Sequence, residues 1–227
     1  MERKIMVTAD GSTTIHIPEW GEHYHSKHGA IQEAKHVFIK HGLSLFENQK
    51  INILEIGFGT GLNSFITFLE APKLNLTIDY VGVEAFPLAA ELVEKMNYVS
   101  QLNASEFSEV FTKMHHQRWE IVNQISPNFS LLKRKQFFSE INDENKFNLI
   151  YFDAFGAKFQ PELWTEEIFK IMYKALKTDG VLVTYCAKGS VRRAMQSVGF
   201  SVEKLPGPPG KREMLRAVKK EEQAKRE

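Results

Sequence analysis

Three carboxylates and one glycine cluster carry the chemistry available to this chain. Glu55 precedes the run Gly57-Phe58-Gly59-Thr60-Gly61-Leu62-Asn63. Glu84 closes the apolar stretch Tyr80-Val81-Gly82-Val83, and Asp153 closes Phe147-Asn148-Leu149-Ile150-Tyr151-Phe152. Glycines at this spacing let a ligand press against bare backbone, and a helix starting behind them offers free N–H groups. An acid about 20 residues beyond such a loop is placed to take both hydroxyls of a ribose. Alone, Gly-x-Gly-x-Gly also fits an ordinary strand-to-helix turn. The three acids lie far apart in sequence, so they share one task only if the fold gathers them. The carboxyl edge of an open α/β sheet is where that happens.

The loop narrows the ligand. A dinucleotide fingerprint spaces its glycines as G-x-G-x-x-G, and a P-loop needs Gly-Lys-Ser/Thr; neither is here. Glu55 would repel a pyrophosphate and suits a ligand bearing an ammonium group. S-adenosylmethionine has both required parts, a ribose for Glu84 and an ammonium for the Glu55 side. The residues therefore read as a class I methyltransferase site.

The elements that must hold this site follow from periodicity. Residues 1–20 pattern as a hairpin around Asp10-Gly11, stopped by Pro18. Ile31, Ala34, Val37 and Phe38 mark a helix ending near Gly42. Ile53 to Ile56 is the first strand of the main sheet, Leu62 to Leu69 its helix, and Tyr80 to Val83 the second strand. Pro87 opens a helix, and residues 97–128 are helical in pattern up to Pro127. Phe129 to Phe138 is a third strand broken by Lys133-Arg134-Lys135. Many class I folds carry an acid there for the adenine amine, whereas this chain has Gln136-Phe137. Gln136 suits the adenine edge and Phe137 a stack upon it, and both also fit as plain strand residues. Residues 146–155 form the fourth strand, 161–176 a helix stopped at Asp179-Gly180, and 180–186 the fifth strand. A helix starts at Lys188-Gly189-Ser190 and ends at Gly199, and residues 201–205 and 213–218 close the sheet as a hairpin. The expected fold is α/β and Rossmann-like, a seven-stranded, mostly parallel sheet with an antiparallel last strand and a small N-terminal hairpin. One domain spans 1–218, and 219–227 is a charged tail.

Composition excludes several classes. The chain has 227 residues, 43% of them hydrophobic, which suits one α/β domain. No apolar run is long enough to span a bilayer, and no secretory segment follows Met1, so a cytoplasmic enzyme is the simplest fit. The single cysteine, Cys186, excludes an internal disulfide and reads as a packed residue. His23, His25 and His28 invite a metal reading, but no clustered acid or cysteine supports it. They fit better as a polar loop over the site, with no metal. Net charge is only +1, so global charge does not announce a nucleic-acid partner.

A longer set of residues resembles the methyltransferase domain of the MnmC-like family. The set includes Tyr24-His25-Ser26, Leu54-Glu55-Ile56-Gly57-Phe58-Gly59-Thr60-Gly61-Leu62-Asn63, Glu84-Ala85-Phe86-Pro87 and Asp153-Ala154-Phe155. Pro161-Glu162-Leu163-Trp164, Thr184-Tyr185, Val191-Arg192-Arg193 and Gly210-Lys211-Arg212-Glu213-Met214 continue it collinearly. The third-strand region departs, and no flavin-dependent oxidase domain accompanies the match, as expected of a stand-alone methyltransferase form. The resemblance implies methyl transfer from S-adenosylmethionine to the amine of 5-aminomethyl-2-thiouridine at the tRNA wobble position.

On that reading Asp153 aims the amine lone pair, Phe155 stacks on the base or walls off the sulfonium, and Tyr24 closes over the cofactor. The loop residues, Glu55, Glu84 and Gln136 hold the cofactor. Lys188, Arg192, Arg193, Lys211 and Arg212 meet the phosphates of the anticodon loop, or form a solvated basic face. Three rivals stand beside this reading: a small-molecule methyltransferase, a non-catalytic RNA-binding relative, and an aminopropyltransferase with the same sheet.

Overall fold

The computed structural model describes residues 2–221. Alternating apolar residues first build a small antiparallel sheet. β1 (Lys4–Val7) and β2 (Thr13–Ile17) pair across the Asp10-Gly11 turn. Asp10 fixes that turn by accepting from the Ser12 amide at 3.0 Å and the Gln32 amide at 2.9 Å. A two-residue strand, β3 (Glu22–His23), adds to β2. The expected hairpin is therefore a three-stranded sheet, and the histidine cluster begins inside it. α1 (Ala30–Ala34) continues directly into a wide π-helical turn, Lys35–Lys40, ending before Gly42.

The main sheet follows. β4 (Lys50–Ile56) leads through the glycine loop into α2 (Leu62–Glu70), and β5 (Thr77–Val83) pairs parallel to β4. Two single-turn helices, α3 (Ala90–Val93) and α4 (Tyr98–Gln101), precede α5 (Ser108–His116). The helical pattern over 97–128 does not persist to Pro127. Its end is an edge strand, β6 (Val122–Ser126), antiparallel to β7 (Phe129–Arg134). Nor does Lys133 break the third strand. It is 1% exposed, and its ammonium donates to the His115 carbonyl at 2.6 Å, at the C-terminal end of α5. A cation there complements the helix dipole and occupies an open carbonyl. Arg134 ends the strand and pairs with Asp143 at 2.5 Å.

β8 (Phe147–Phe152) lies parallel to β4. α6 (Glu166–Ala175) passes straight into β9 (Leu176–Thr184). Asp179-Gly180 is thus a kink inside a strand rather than a helix stop, with Asp179 at φ 60 and a register shift against β8. After α7 (Gly189–Ser197), β10 (Phe200–Pro206) and β11 (Glu213–Lys219) form the closing hairpin. Lys219 belongs to β11, where its ammonium donates to the Leu176 carbonyl at 2.7 Å. Of the rest of the expected tail, Lys220 and Glu221 follow the strand without regular structure, and 222–227 lie outside the described residues.

Among the described residues the main sheet has eight strands in the order β10-β11-β9-β8-β4-β5-β7-β6. Seven of them form the expected sheet, with β11 antiparallel between β9 and β10, and β6 is an added edge. Apolar side chains of opposite parity feed two cores. Ile53, Tyr80, Leu131 and Tyr151 face α1, α2 and α5, whereas Leu54, Val81, Ile150 and Leu182 face α6 and α7. Each buried Leu, Ile or Phe contributes roughly 1.5–3 kcal/mol. These cores hold the strands rigidly enough to make their carboxyl edge a platform. The small sheet covers that edge. Thr13 and Asn97 bond reciprocally, amide to side-chain oxygen, at 2.8 and 3.0 Å.

Candidate active site

The site is built where β4, β5 and β8 end. Gly57 takes φ +89, and a Cβ there would stand 2.6 Å from the Asp153 carbonyl oxygen. Only glycine lets the loop after β4 cross that close to the end of β8. Gly61, at φ +70, opens α2, and among the described residues no side chain caps the first turn of that helix. Its amides are left to water or a ligand.

Glu55 points to the α2 side of the sheet and is fully buried. Its oxygens accept from the Asn63 amide at 2.9 Å and the Tyr80 hydroxyl at 2.9 Å. Asn63 Nδ2 also donates to Asp153 at 2.8 Å. One amide nitrogen therefore links two carboxylates from neighbouring strands. Burial raises the Glu55 carboxyl well above the usual range, against the opposing pull of those two donors. Asp153 is pushed up to about 7 by burial and by Glu33, while Asn63 and Lys211 pull it down. Asn63 Oδ1 is buried and has no hydrogen-bond partner among the described residues.

Glu84 accepts from the Gly59 amide at 3.1 Å and the Phe86 amide at 3.0 Å. A carboxylate has about four acceptor positions, so Glu84 keeps capacity for further donors. Tyr24 lies over Gly59 and meets Phe155 edge-on, with ring centroids 4.9 Å apart. Trp20 also meets Phe155 edge-on, with ring centroids 5.5 Å apart. The structure thus brings Tyr24, Gly57, Gly59, Gly61, Glu55, Asn63, Glu84, Asp153 and Phe155 to one place.

Other expected site residues sit differently. The Phe58 ring is buried against Gly82, so only its backbone borders the loop. Thr60 is fully buried, its hydroxyl engaged by His25 Nε2 at 2.7 Å and by Tyr98 at 3.1 Å. Gln136 is half-buried just beyond β7, and Phe137 is exposed and packs edge-on against Phe86 at 5.9 Å. Lys188, Arg193 and Arg212 are exposed and Arg192 is half-buried. Lys188, Arg192 and Arg193 follow the end of β9, in the start of α7, and Arg212 precedes β11, whose first residues pair with the end of β9. Lys211 points inward instead, pairing with Glu33 and stacking 4.0 Å from the Tyr185 ring centroid.

Sequence patterning missed several contributors. His25 sits in the loop after β3, half-buried against the glycine loop through Thr60, and desolvation lowers it to about 4. His115 packs beneath Gly61 and is lowered to about 3, chiefly by burial. Among the described residues, no group of three or more His, Cys, Asp or Glu side chains is arranged to hold a metal ion. His23 stacks on His16 at 4.6 Å, and His28 packs against Gly210. Their short sequence spacing was uninformative because each faces a different element.

An acid just after the second strand with acceptor capacity to spare, a glycine loop, and a buried amide oxygen with no partner among the described residues together fit S-adenosylmethionine. That Asn63 oxygen is an acceptor suited to the methionine ammonium, a donor it otherwise lacks. The chain belongs to a family of S-adenosyl-L-methionine-dependent methyltransferases, whose model matches residues 99–220, more than half the chain.

Within that class it is similar to the tRNA 5-methylaminomethyl-2-thiouridine biosynthesis bifunctional protein MnmC. The Delftia acidovorans protein is 28% identical over 90% of this chain and 33% of its own length. That of Leptospira borgpetersenii is 29% identical over 85% and 31%. The chain thus spans about a third of these curated relatives. Among solved structures, MnmC2 from Aquifex aeolicus matches with a TM-score of 0.74 at 25% identity, over 96% of this chain and 71% of that one. A spermidine synthase matches with a TM-score of 0.63 at 17% identity, over 96% and 70%, a likeness of fold alone. No helix among the described residues is long and apolar enough to cross a membrane.

Proposed function

We propose that this enzyme methylates the aminomethyl nitrogen of 5-aminomethyl-2-thiouridine at the tRNA wobble position. The observation that carries the reading is the Asp153 carboxylate, held by Asn63 beside Phe155 and the glycine loop. The names of the MnmC relatives supply the nucleoside class. Residues 1–218 act as one methyltransferase domain, with the small sheet as an extension over the site.

When bound, S-adenosylmethionine supplies an electrophilic methyl group. The chain must deliver a neutral amine in line with it, because an ammonium has no lone pair, and holding that geometry is worth much of the rate. Asp153 accepts an N–H from the amine and aims the lone pair. A carboxyl held near 7 is also a better match for an amine proton than an ordinary carboxylate. Phe155 and Tyr24 wall the reacting centre and exclude water. Glu84 takes the ribose hydroxyls, and Asn63, backed by the enclosed Glu55, takes the ammonium. Gln136 borders the adenine. Lys188, Arg192, Arg193 and Arg212 meet phosphates around a splayed anticodon base.

The deciding experiment incubates the protein with labelled S-adenosylmethionine and tRNA lacking the modification, followed by nucleoside mass spectrometry. One methyl gained on the aminomethyl uridine is the expected result. Cofactor binding with no label in tRNA would move the substrate to a small-molecule amine.

A further inference from the structure

Lys211 lies in the turn joining β10 and β11, where the sequence suggests a phosphate contact. The structure gives it other work. Its ammonium meets Glu33 Oε1 and lies over the Tyr185 ring. The Lys211 side chain is 31% exposed, and that of Glu33 only 9%. The other Glu33 oxygen accepts from the Ser26 amide at 2.9 Å. Tyr185 donates to the Ala154 carbonyl at 2.8 Å, one residue beyond Asp153. His28 packs on Gly210, seating the hairpin turn against the same loop. The pair thus ties α1, the histidine loop, the hairpin turn and the segment after β8 around one carboxylate.

We propose that Glu33 and Lys211 form an internal ion pair that positions and charge-balances the Asp153 carboxylate. Lys211 is then a positioning residue for methyl transfer and not a tRNA phosphate contact. The inference rests on the methyl-transfer reading of Asp153. The groups bearing on Asp153 are Asn63 from α2, Glu55 from β4, Tyr80 from β5, Glu33 from α1, Lys211 from the hairpin, Tyr98 from α4 and Tyr185 after β9. Burial raises all three tyrosines, which stay neutral. Glu33 and Lys211 act on Asp153 with opposite signs. Removing one leaves the other uncompensated, and removing both restores the balance.

The test is a double-mutant cycle with the full chain. Lys211→Met keeps the aliphatic stem over Tyr185, and Glu33→Gln keeps an acceptor for Ser26. In tRNA methyl transfer, Lys211→Met is expected to move the acid limb of the pH–kcat profile up by about 0.5–1 pH unit. Glu33→Gln moves it down by a similar amount, and the double variant returns it to the wild-type position. A merely structural role gives no opposed signs. An unmoved limb, with weaker tRNA binding and a flatter salt dependence in Lys211→Met, would overturn the proposal in favour of a phosphate contact. Carboxyl carbon NMR of Asp153 in the four proteins reads the same titration without substrate. If wild type methylates no tRNA, the substrate reading fails alone, and the NMR shifts still decide the ion pair. Shifts in one direction, or none, reject it. Thermal unfolding of each variant confirms that folded proteins are compared.

Discussion

Asp153→Asn separates the role of this side chain in catalysis from its cost to stability. The amide keeps the shape of the carboxylate and can still accept from Asn63 Nδ2. What it removes is a charge the fold disfavours. Asp153 moves from an ordinary value of 3.8 to about 7 in the folded protein, and each pH unit of that interval is worth about 1.36 kcal/mol. Because the folded value is the raised one, the native state binds the proton more tightly than the unfolded chain. Stability from this group is therefore full below 3.8 and is lost as pH rises through about 7. The ceiling on that loss is about 4 kcal/mol, of which about 3 falls between pH 5 and 8.5. Asp153 keeps part of its surface open, and solvent screening reduces the expected figure to about 1.5 kcal/mol. Urea unfolding of wild type and variant at the two pH values gives the number directly. The variant should gain that much relative stability at pH 8.5 over pH 5, with an unchanged m-value. Its turnover should fall by roughly a hundredfold or more while cofactor affinity stays within a few-fold, as for a group acting in the transition state. A stability difference that is flat in pH, or one that shrinks at pH 8.5, refutes the argument from burial.

Other perturbations test separate parts of the site. Gly57→Ala forces a side chain into left-handed backbone 2.6 Å from the Asp153 carbonyl. It should cost about 2–4 kcal/mol in unfolding experiments and weaken cofactor binding; a cost under about 1 kcal/mol contradicts the close crossing. His25, held to about 4 by burial, should show no imidazole titration by NMR between pH 5.5 and 8, and a midpoint near 6.5 would place it in solvent. Cys186 is buried with its thiol raised by burial, so a thiol reagent should label it only as fast as the protein opens. Neutralising Arg193 and Arg212 should lower the salt slope of tRNA binding by about one for each phosphate they neutralise; an unchanged slope returns them to surface charge.

Much of the fold was legible because its core strands are nearly continuous apolar runs. Ile53–Ile56, Tyr80–Val83 and Phe147–Phe152 are buried on both faces, and such runs have no helical alternative of the right length. The edges were harder. Val122–Ser126 has one buried side chain, Ile125, so its strand period hardly differs from polar noise, and α5 just before it favours extending a helix. Lys133 misled for a different reason. A lysine in an apolar run reads as a break, unless a carbonyl waits for it at the end of a helix that pattern alone cannot position.

The same limit governs the candidate site. Glycines and strand-ending acids announce themselves by local grammar, since each needs only its own strand and turn to be in position. Glu33 and Lys211 have no such grammar. They are 178 residues apart, and each looks alone like a solvated charge. A charge pattern records what a residue is, not what the tertiary fold sets opposite it. Burying one charge without the other would cost several kcal/mol, so the partners must arrive together, when the closing hairpin docks on the histidine loop. That docking also completes the surroundings of Asp153. The last two strands therefore do more than finish the sheet: they carry the counter-charge to Glu33, and both charges bear on the carboxylate at the centre of the proposed reaction.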